Sequence, residues 1–251
     1  MLATRQGQPL VRTFTSRRFY RQLHIWMGVL LSLQLLAWFA SGLVMAWLPI
    51  DEVRGSHLRQ PIKVDYAHAQ QSPHDVLRQQ RQIWALPANA ALEFSLSQRG
   101  EIPLYRISAV ATQQLAYVNA ITGEQLAVLT QAEMLALLQP QYTGSNPIRQ
   151  AKLWQQQAPA EAAGLGLPLW QVDIADSDHT TFYLDALSGQ VVRVRTDMWR
   201  LFDFMWMLHI MDYKTREDFN HPLLILTSAT ALFFTISGVM LLPGALRRQR
   251  R

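Results

Sequence analysis

Two uncharged apolar runs, one near each end of the chain, restrict its architecture more than any other feature. Neither Ile25 to Leu48 nor Leu223 to Leu242 contains a charged residue. At about 1.5 Å per helical residue, each run is long enough to cross a hydrocarbon core of about 30 Å. The expected spans are residues 25–48 and 222–243, and the stretch between them, 49–195, is polar enough for a water-soluble domain. A cleaved signal peptide fits the first run poorly. It is longer than an ordinary h-region, carries Trp26, Trp38 and Trp47, and ends at Leu48-Pro49-Ile50-Asp51 without a small-x-small site.

The formal net charge of +5 sits at the ends of the chain. Arg5, Arg12, Arg17, Arg18 and Arg21 precede the first run, and Arg247, Arg248, Arg250 and Arg251 follow the second. A surface that reads nucleic acid concentrates its charge on a folded domain, so no nucleic-acid partner is expected. The positive-inside rule instead puts residues 1–24 and 244–251 in the cytoplasm and the central domain outside. In a bacterium this describes a two-span inner-membrane protein with a periplasmic domain. The chain has no cysteine, which excludes disulfides, thiolate zinc sites and cysteine-ligated iron–sulfur clusters.

Small and hydroxylated residues mark one face of each span. Thr227, Ala231, Thr235 and Gly238 recur at helical spacing in the second, and Gly28, Ser32, Ala37 and Ser41 lie in the first with Gln34 near its middle. Ser41-Gly42 is echoed by Ser237-Gly238. Small residues let helices approach closely in lipid, so these strips predict packing between the two spans.

The central domain reads as a duplicated α+β unit, about 66–130 and 131–195. Pro103-Leu104-Tyr105-Arg106-Ile107 leads to Tyr117-Val118-Asn119-Ala120-Ile121-Thr122-Gly123, and Pro168-Leu169-Trp170-Gln171-Val172 leads to Tyr183-Leu184-Asp185-Ala186-Leu187-Ser188-Gly189. Each copy predicts strand, turn, strand, then a tight turn closed by a glycine at positive φ, then a further strand. Helices are expected from Ser72-Pro73 through Val76, Leu77 and Trp84, and from Asn146-Pro147 through Ile148, Ala151 and Leu153. Thr130-x-x-Glu133 is a capping box for another short helix, Met134 to Leu138.

The two strand–turn stretches resemble the hallmark of the PepSY domain. Leu23-His24-Ile25-Trp26-Met27-Gly28 leading to Ser41-Gly42-Leu43 resembles the first helix of PepSY-associated transmembrane proteins. Trp206-Met207-Leu208-His209, followed by a polar loop and a span with Ser237-Gly238, is similar to their later Leu-His motif and closing helix. Many members have four or more spans where this chain has two. Between the domain and the second span, Thr196 to Tyr213 is rich in Met, Trp, Phe and Leu but broken by Arg200, Asp203 and His209. It predicts a helix lying in the outer membrane interface, within a segment 196–221.

Four of the seven histidines fall at span ends: His24 at the inner side, and His57, His209 and His221 at the outer side. Imidazole is a natural axial ligand for haem b. The resemblance implies ferric-iron or siderophore reduction with haem held by membrane histidines, and it points to His24 and His209, which match the two Leu-His motifs. His57 and His221 are added for their position alone. Two helices cannot enclose a porphyrin, so a haem requires a homodimer or another membrane subunit. The competing role for these histidines is to anchor helix ends. No phosphate loop, His-Glu-x-x-His or Gly-x-Ser-x-Gly motif is present. Asp51, Glu52 and Arg54, and the cluster from Asp212 to Asp218, read as solvated charges, and Asp173, Asp176 and Asp178 as a polar turn.

Two functions follow. One is a haem b-linked transmembrane electron-transfer component, fed by a redox flavoprotein and passing electrons outward to a ferric chelate, with no catalysis by the isolated chain. The other is a non-enzymatic accessory protein whose repeats bind or regulate a partner of a membrane complex.

Overall fold

A computed structural model describes residues 14–249; Arg5, Arg12, Arg250 and Arg251, on which the orientation argument draws, lie outside the described residues. The chain divides into two compact units, one built from the terminal segments up to Trp47 and from Phe202 onward, the other from residues 48–201.

The helical unit contains α1 (Phe14–Trp47), the later turns of α5 (Asp197–Ile210) and α6 (Pro222–Gln249). Arg18–Trp47 and Pro222–Pro243 are long and apolar enough to cross a membrane. Gly28 meets the ring of Phe234 while His24 meets Ser237 and Gly238, so α1 and α6 run antiparallel. Leu31 and Ala231 are buried on the contact faces, whereas Leu30, Leu33 and Met240 are more than three-quarters exposed. Apolar surface of that extent outside the helix pair requires lipid or further helices to cover it. Ser32 departs from the expected strip. It is exposed, and its hydroxyl donates to the Val29 carbonyl at 2.8 Å. The contact line steps from Gly28 to Leu31 instead, the three-residue alternative on the same face.

The globular unit holds two antiparallel sheets. The first has the order β1 (Leu92–Arg99), β2 (Ile102–Ala109), β3 (Gln114–Asn119); the second has β4 (Ile148–Trp154), β5 (Leu169–Ile174), β6 (Thr181–Asp185), β7 (Val191–Arg195). A short α2 (Ile50–Val53) opens the unit. Helix α3 (Pro73–Ile83) begins with Pro at its first position, as its fixed φ allows, and packs Val76, Leu77 and Trp84 against Tyr105, Ile107 and Val118. Helix α4 (Gln131–Leu138) starts on the capping box, with the Thr130 hydroxyl accepting from the Glu133 N–H and the Glu133 carboxylate from the Thr130 N–H. Its Met134 and Leu138 join Trp170, Val172, Phe182 and Leu184 in the second core. Each sheet thus has one helix on one face, the α+β arrangement expected.

Three expectations fail locally. The helix from Asn146-Pro147 is instead strand β4. Ile148 and Ala151 are at a helical spacing, but the structure uses the two-residue period of Ala151 and Leu153, which face the core while β4 pairs with β5. The helix of the second copy is α4. Strand β1 has no counterpart among the expected elements. After Gly123 the expected strand shrinks to one bridge, Gln125 to Val118.

The two tight turns match in detail. The Asn119 side-chain oxygen accepts from the N–H groups of Ile121 and Thr122, and that of Asp185 from Leu187 and Ser188. Gly123 and Gly189 have φ of 81° and 72°, and each donates to the carbonyl of its Asn119 or Asp185. Ala120 and Ala186 donate to Pro103 and Pro168 in turn. The turns differ in their setting. Asp185 Oδ2 accepts from the Tyr117 hydroxyl at 3.0 Å, and Arg99 donates to the Leu187 carbonyl, so the second turn is docked on the first sheet.

Candidate functional site

His24 occupies a slot between the helices that small residues open. Its ring stacks on Phe234, with centroids 4.3 Å apart and planes 7° from parallel. A Cβ on Gly238 would lie 3.0 Å from His24 Cε1, and one on Gly28 would lie 3.0 Å from Phe234 Cε2, so both positions need the missing side chain. At the slot's edge His24 Nδ1 is 2.7 Å from Ser237 Oγ.

His209, near the end of α5, repeats this on the other Ser-Gly pair. Its Nδ1 lies 3.0 Å from the oxygen of the fully buried Ser41, and its Cε1 lies 3.6 Å from where a Gly42 Cβ would sit. Gln34 points its amide at the Leu208 carbonyl, a long contact at 3.5 Å to one of the carbonyls a helix end leaves unpaired. Each Leu-His motif therefore docks on the Ser-Gly pair of another helix: 24 on 237–238, and 209 on 41–42. Both motifs were visible in the sequence, but their pairing depends on tertiary register.

The serines determine what the imidazoles can do. Ser237 Oγ also sits 2.7 Å from the Phe234 carbonyl, and Ser41 Oγ 3.1 Å from the Trp38 carbonyl. A hydroxyl has one hydrogen, and a carbonyl can only accept. Both contacts are satisfied when the serine donates to its own helix and accepts from the histidine Nδ1–H. In that tautomer Nε2 carries a lone pair. This is how metal-binding histidines are held, with one ring nitrogen donating to a fixed acceptor and the other free to coordinate. The donor set thus fits an axial ligand for haem iron. Residues 24 and 41 lie about 25 Å apart along one helix, so a single chain offers one such imidazole at each of two levels.

The other two candidate histidines have different settings. His57 belongs to the globular unit, is exposed, and uses only its carbonyl, which accepts from the Thr143 hydroxyl at 2.7 Å. His221 precedes α6, and its buried Nδ1 has no hydrogen-bond partner among the described residues. Among the described residues, no group of three or more His, Asp or Glu side chains is placed to hold a metal ion. Asp176 closes a turn by accepting from the Thr180 N–H, as a polar turn requires. The cluster after α5 is more ordered than solvated charges would be. Asp212 is buried, and its carboxylate accepts from the Thr215 hydroxyl and from the N–H groups of Lys214, Thr215, Glu217 and Asp218. Those bonds, the Thr215 hydroxyl first, hold its pKa well below the usual carboxylate range against the opposing effect of burial. Asp203 pairs with Arg216 across the same loop.

Neither the curated proteins nor the solved structures include a match to this sequence. Residues 21–251 match the family described as the PepSY-associated TM region, which takes in both apolar helices, both histidine–serine contacts and the domain between them. The chain is a membrane protein of the PepSY-associated TM family.

Proposed function

We propose that this protein is a haem b-linked electron-transfer component of a bacterial inner membrane, with His24 and His209 as axial ligands at the two membrane levels. The observation that carries the reading is the pair of serine contacts at the two Nδ1 atoms, from which a lone pair on each Nε2 follows. Haem b, when bound, supplies reversible one-electron transfer. In this reading Ser237 and Ser41 fix the ring tautomers, and Phe234 keeps His24 from rotating. The apolar helix flanks exclude water. One chain supplies one ligand per level, so the opposite ligands come from a second copy or another membrane subunit. His57 and His221 have weaker support, since position along the chain alone points to them. Both termini face the cytoplasm, where a flavoprotein donates electrons. The duplicated domain, read as two PepSY repeats, lies in the periplasm beside a ferric chelate acceptor, and α5 rests in the outer interface.

A dithionite-reduced minus oxidised absorption spectrum of the detergent-purified protein, expressed with ample haem, tests this. The expected result is a haem b α-band that falls by about half in His24→Ala and in His209→Ala, since each variant removes one level. Ser41→Ala should keep the band and shift its midpoint potential, because the ligand loses its acceptor. A flat spectrum from protein purified with its native partners overturns the reading. The accessory reading then stands, and a stoichiometric, pigment-free partner on the bare helix flanks supports it.

A further inference from the structure

One connection differs sharply between the two copies. Residues 100 and 101 suffice to turn β1 into β2, whereas residues 155–168 lie between the paired ends of β4 and β5, Trp154 and Leu169. A connection longer than about 12 residues is uncommon within a domain and usually carries a function. This one folds back as an Ω-loop over the sheet face opposite α4. Ala162 is fully buried there against Leu169 and Tyr183, with Trp154, Ala158, Leu165 and Leu167 around them.

Three guanidiniums hold the loop down. Tyr183 pairs with Arg193, and Thr181 with Arg195, across β6 and β7, which puts both arginines on the face the loop covers. Arg193 donates to the carbonyls of Glu161 and Ala163. Arg195 donates to the Glu161 carbonyl while its guanidinium lies over the Trp199 ring. Arg200 closes a fork on the Glu161 carboxylate, with Nε 2.7 Å from one oxygen and Nη2 3.0 Å from the other. Glu161 is the one charged residue of the loop, so everything ionic in its docking passes through that side chain.

The neighbouring carboxylates have other partners. Asp197 is shared between Arg200 and His179, Asp173 accepts from Gln150, Gln171 and Thr181, and Asp176 closes its own turn. Arg149 and Lys152 add positive charge on the β4 side. A cleft of about 310 Å³ runs beside Glu161 and Arg200 and gives access to the fork. The loop is thinly packed beyond its anchor, since no atom lies within 4 Å of a Cβ built on Gly164 or Gly166. A loop with one ionic anchor and a bare end opens at less cost than the sheet beneath it.

We propose that loop 155–168 is a built-in blocking segment on a peptide-binding face, and that an acidic segment of a partner protein displaces Glu161 from Arg200. The loop shows what the face accepts: a carboxylate for Arg200, backbone carbonyls for Arg193 and Arg195, and a small side chain against Leu169 and Tyr183. A glutamate flanked by small residues in a peptide supplies all three, whereas a free carboxylate supplies one. The site belongs to the globular unit and is independent of any haem.

The test is hydrogen exchange of the full-length protein in detergent, read by mass spectrometry, with three probes. They are a capped peptide copying residues 157–164, the same peptide with glutamine in place of the glutamate, and glutarate. The tethered loop competes at an effective concentration of millimolar order, so about 10 mM probe is needed with wild-type protein. There the glutamate peptide should speed exchange at the amides of Ala162, Ala163 and Leu165, which bond within the loop, and leave β5 and β6 unchanged. The glutamine peptide should be about tenfold weaker, the loss of one charge-assisted contact, and glutarate should have no effect. Glu161→Gln should lower the glutamate peptide needed by about tenfold, and Arg200→Gln should erase the preference between the two peptides. The wild-type comparison is decisive even where a variant fails to fold. Equal action of the two peptides, action of glutarate, or no response of the loop amides overturns the proposal.

Discussion

Asp212 gathers four backbone N–H groups and a hydroxyl onto two oxygens, in a loop where Met211 and Arg216 both hold positive φ. Asparagine offers one acceptor oxygen instead of two, so Asp212→Asn should lower the exchange protection of the Glu217 and Asp218 amides by about tenfold. The pH response has a definite sign. A carboxylate with a depressed folded pKa contributes its full stabilisation above its unfolded value and loses it progressively as pH falls from the unfolded value through the folded one. Wild-type protection factors should therefore hold steady from neutral pH down to about 5 and fall continuously once pH drops below about 3.9, where an ordinary Asp titrates. Hydrogen exchange measured across that range checks both statements. Protection that stays level below about 3.9 would show that the bonds do not favour the charged form.

At the scale of elements, local chemistry was legible in the sequence and long-range pairing was not. Ser72-Pro73 opened α3, Thr130 and Glu133 built the α4 cap, and the two glycine turns appeared where Asn119 and Asp185 announced them. Each of these signals is complete within a few residues. Strand β4 was misread because Ile148 and Ala151 stand at a helical spacing while Ala151 and Leu153 stand at a strand spacing, and pairing with β5 decides between them. The histidine contacts were hidden for the same reason, since nothing near His24 says that Ser237 will lie opposite. Glycines of equal backbone strain allow a test of the packing described here. Gly189 and Gly164 have φ of 72° and 76°, but a Cβ at 189 would lie 2.5 Å from Leu137 Cδ1, while at 164 nothing is within 4 Å. Gly164→Ala should cost about 1 kcal/mol, from strain alone. Gly189→Ala should cost that and about 1–3 kcal/mol more, from crowding. Denaturant unfolding followed by tryptophan fluorescence separates them, and equal losses would count against the packing of the second turn.

For the whole molecule, the duplicated units are joined by contacts the sequence repeat does not contain. Tyr117 and Arg99 of the first sheet hold the second turn, with the Arg106 guanidinium close enough to Tyr117 to act on its hydroxyl. Asp185→Asn leaves the turn its acceptor but replaces a charged partner of Tyr117 with a neutral one. It should cost about 1 kcal/mol in a thermal melt of the full chain, whereas Asn119→Asp, at a turn with no such partner, should be nearly neutral. A reversed order of effects would mean that the two turns are interchangeable.

One difference between those turns is a single atom, an oxygen at 185 where 119 carries an amide nitrogen. Two copies of one module on one chain create an addressing problem, because each turn is shaped to sit in the place of the other and in the place of its twin on a neighbouring molecule. Such ambiguity is the usual route to swapped or endlessly chained assemblies. The oxygen acts as a key cut on one copy only. It gives the second turn a charged contact with the first sheet that the first turn does not make.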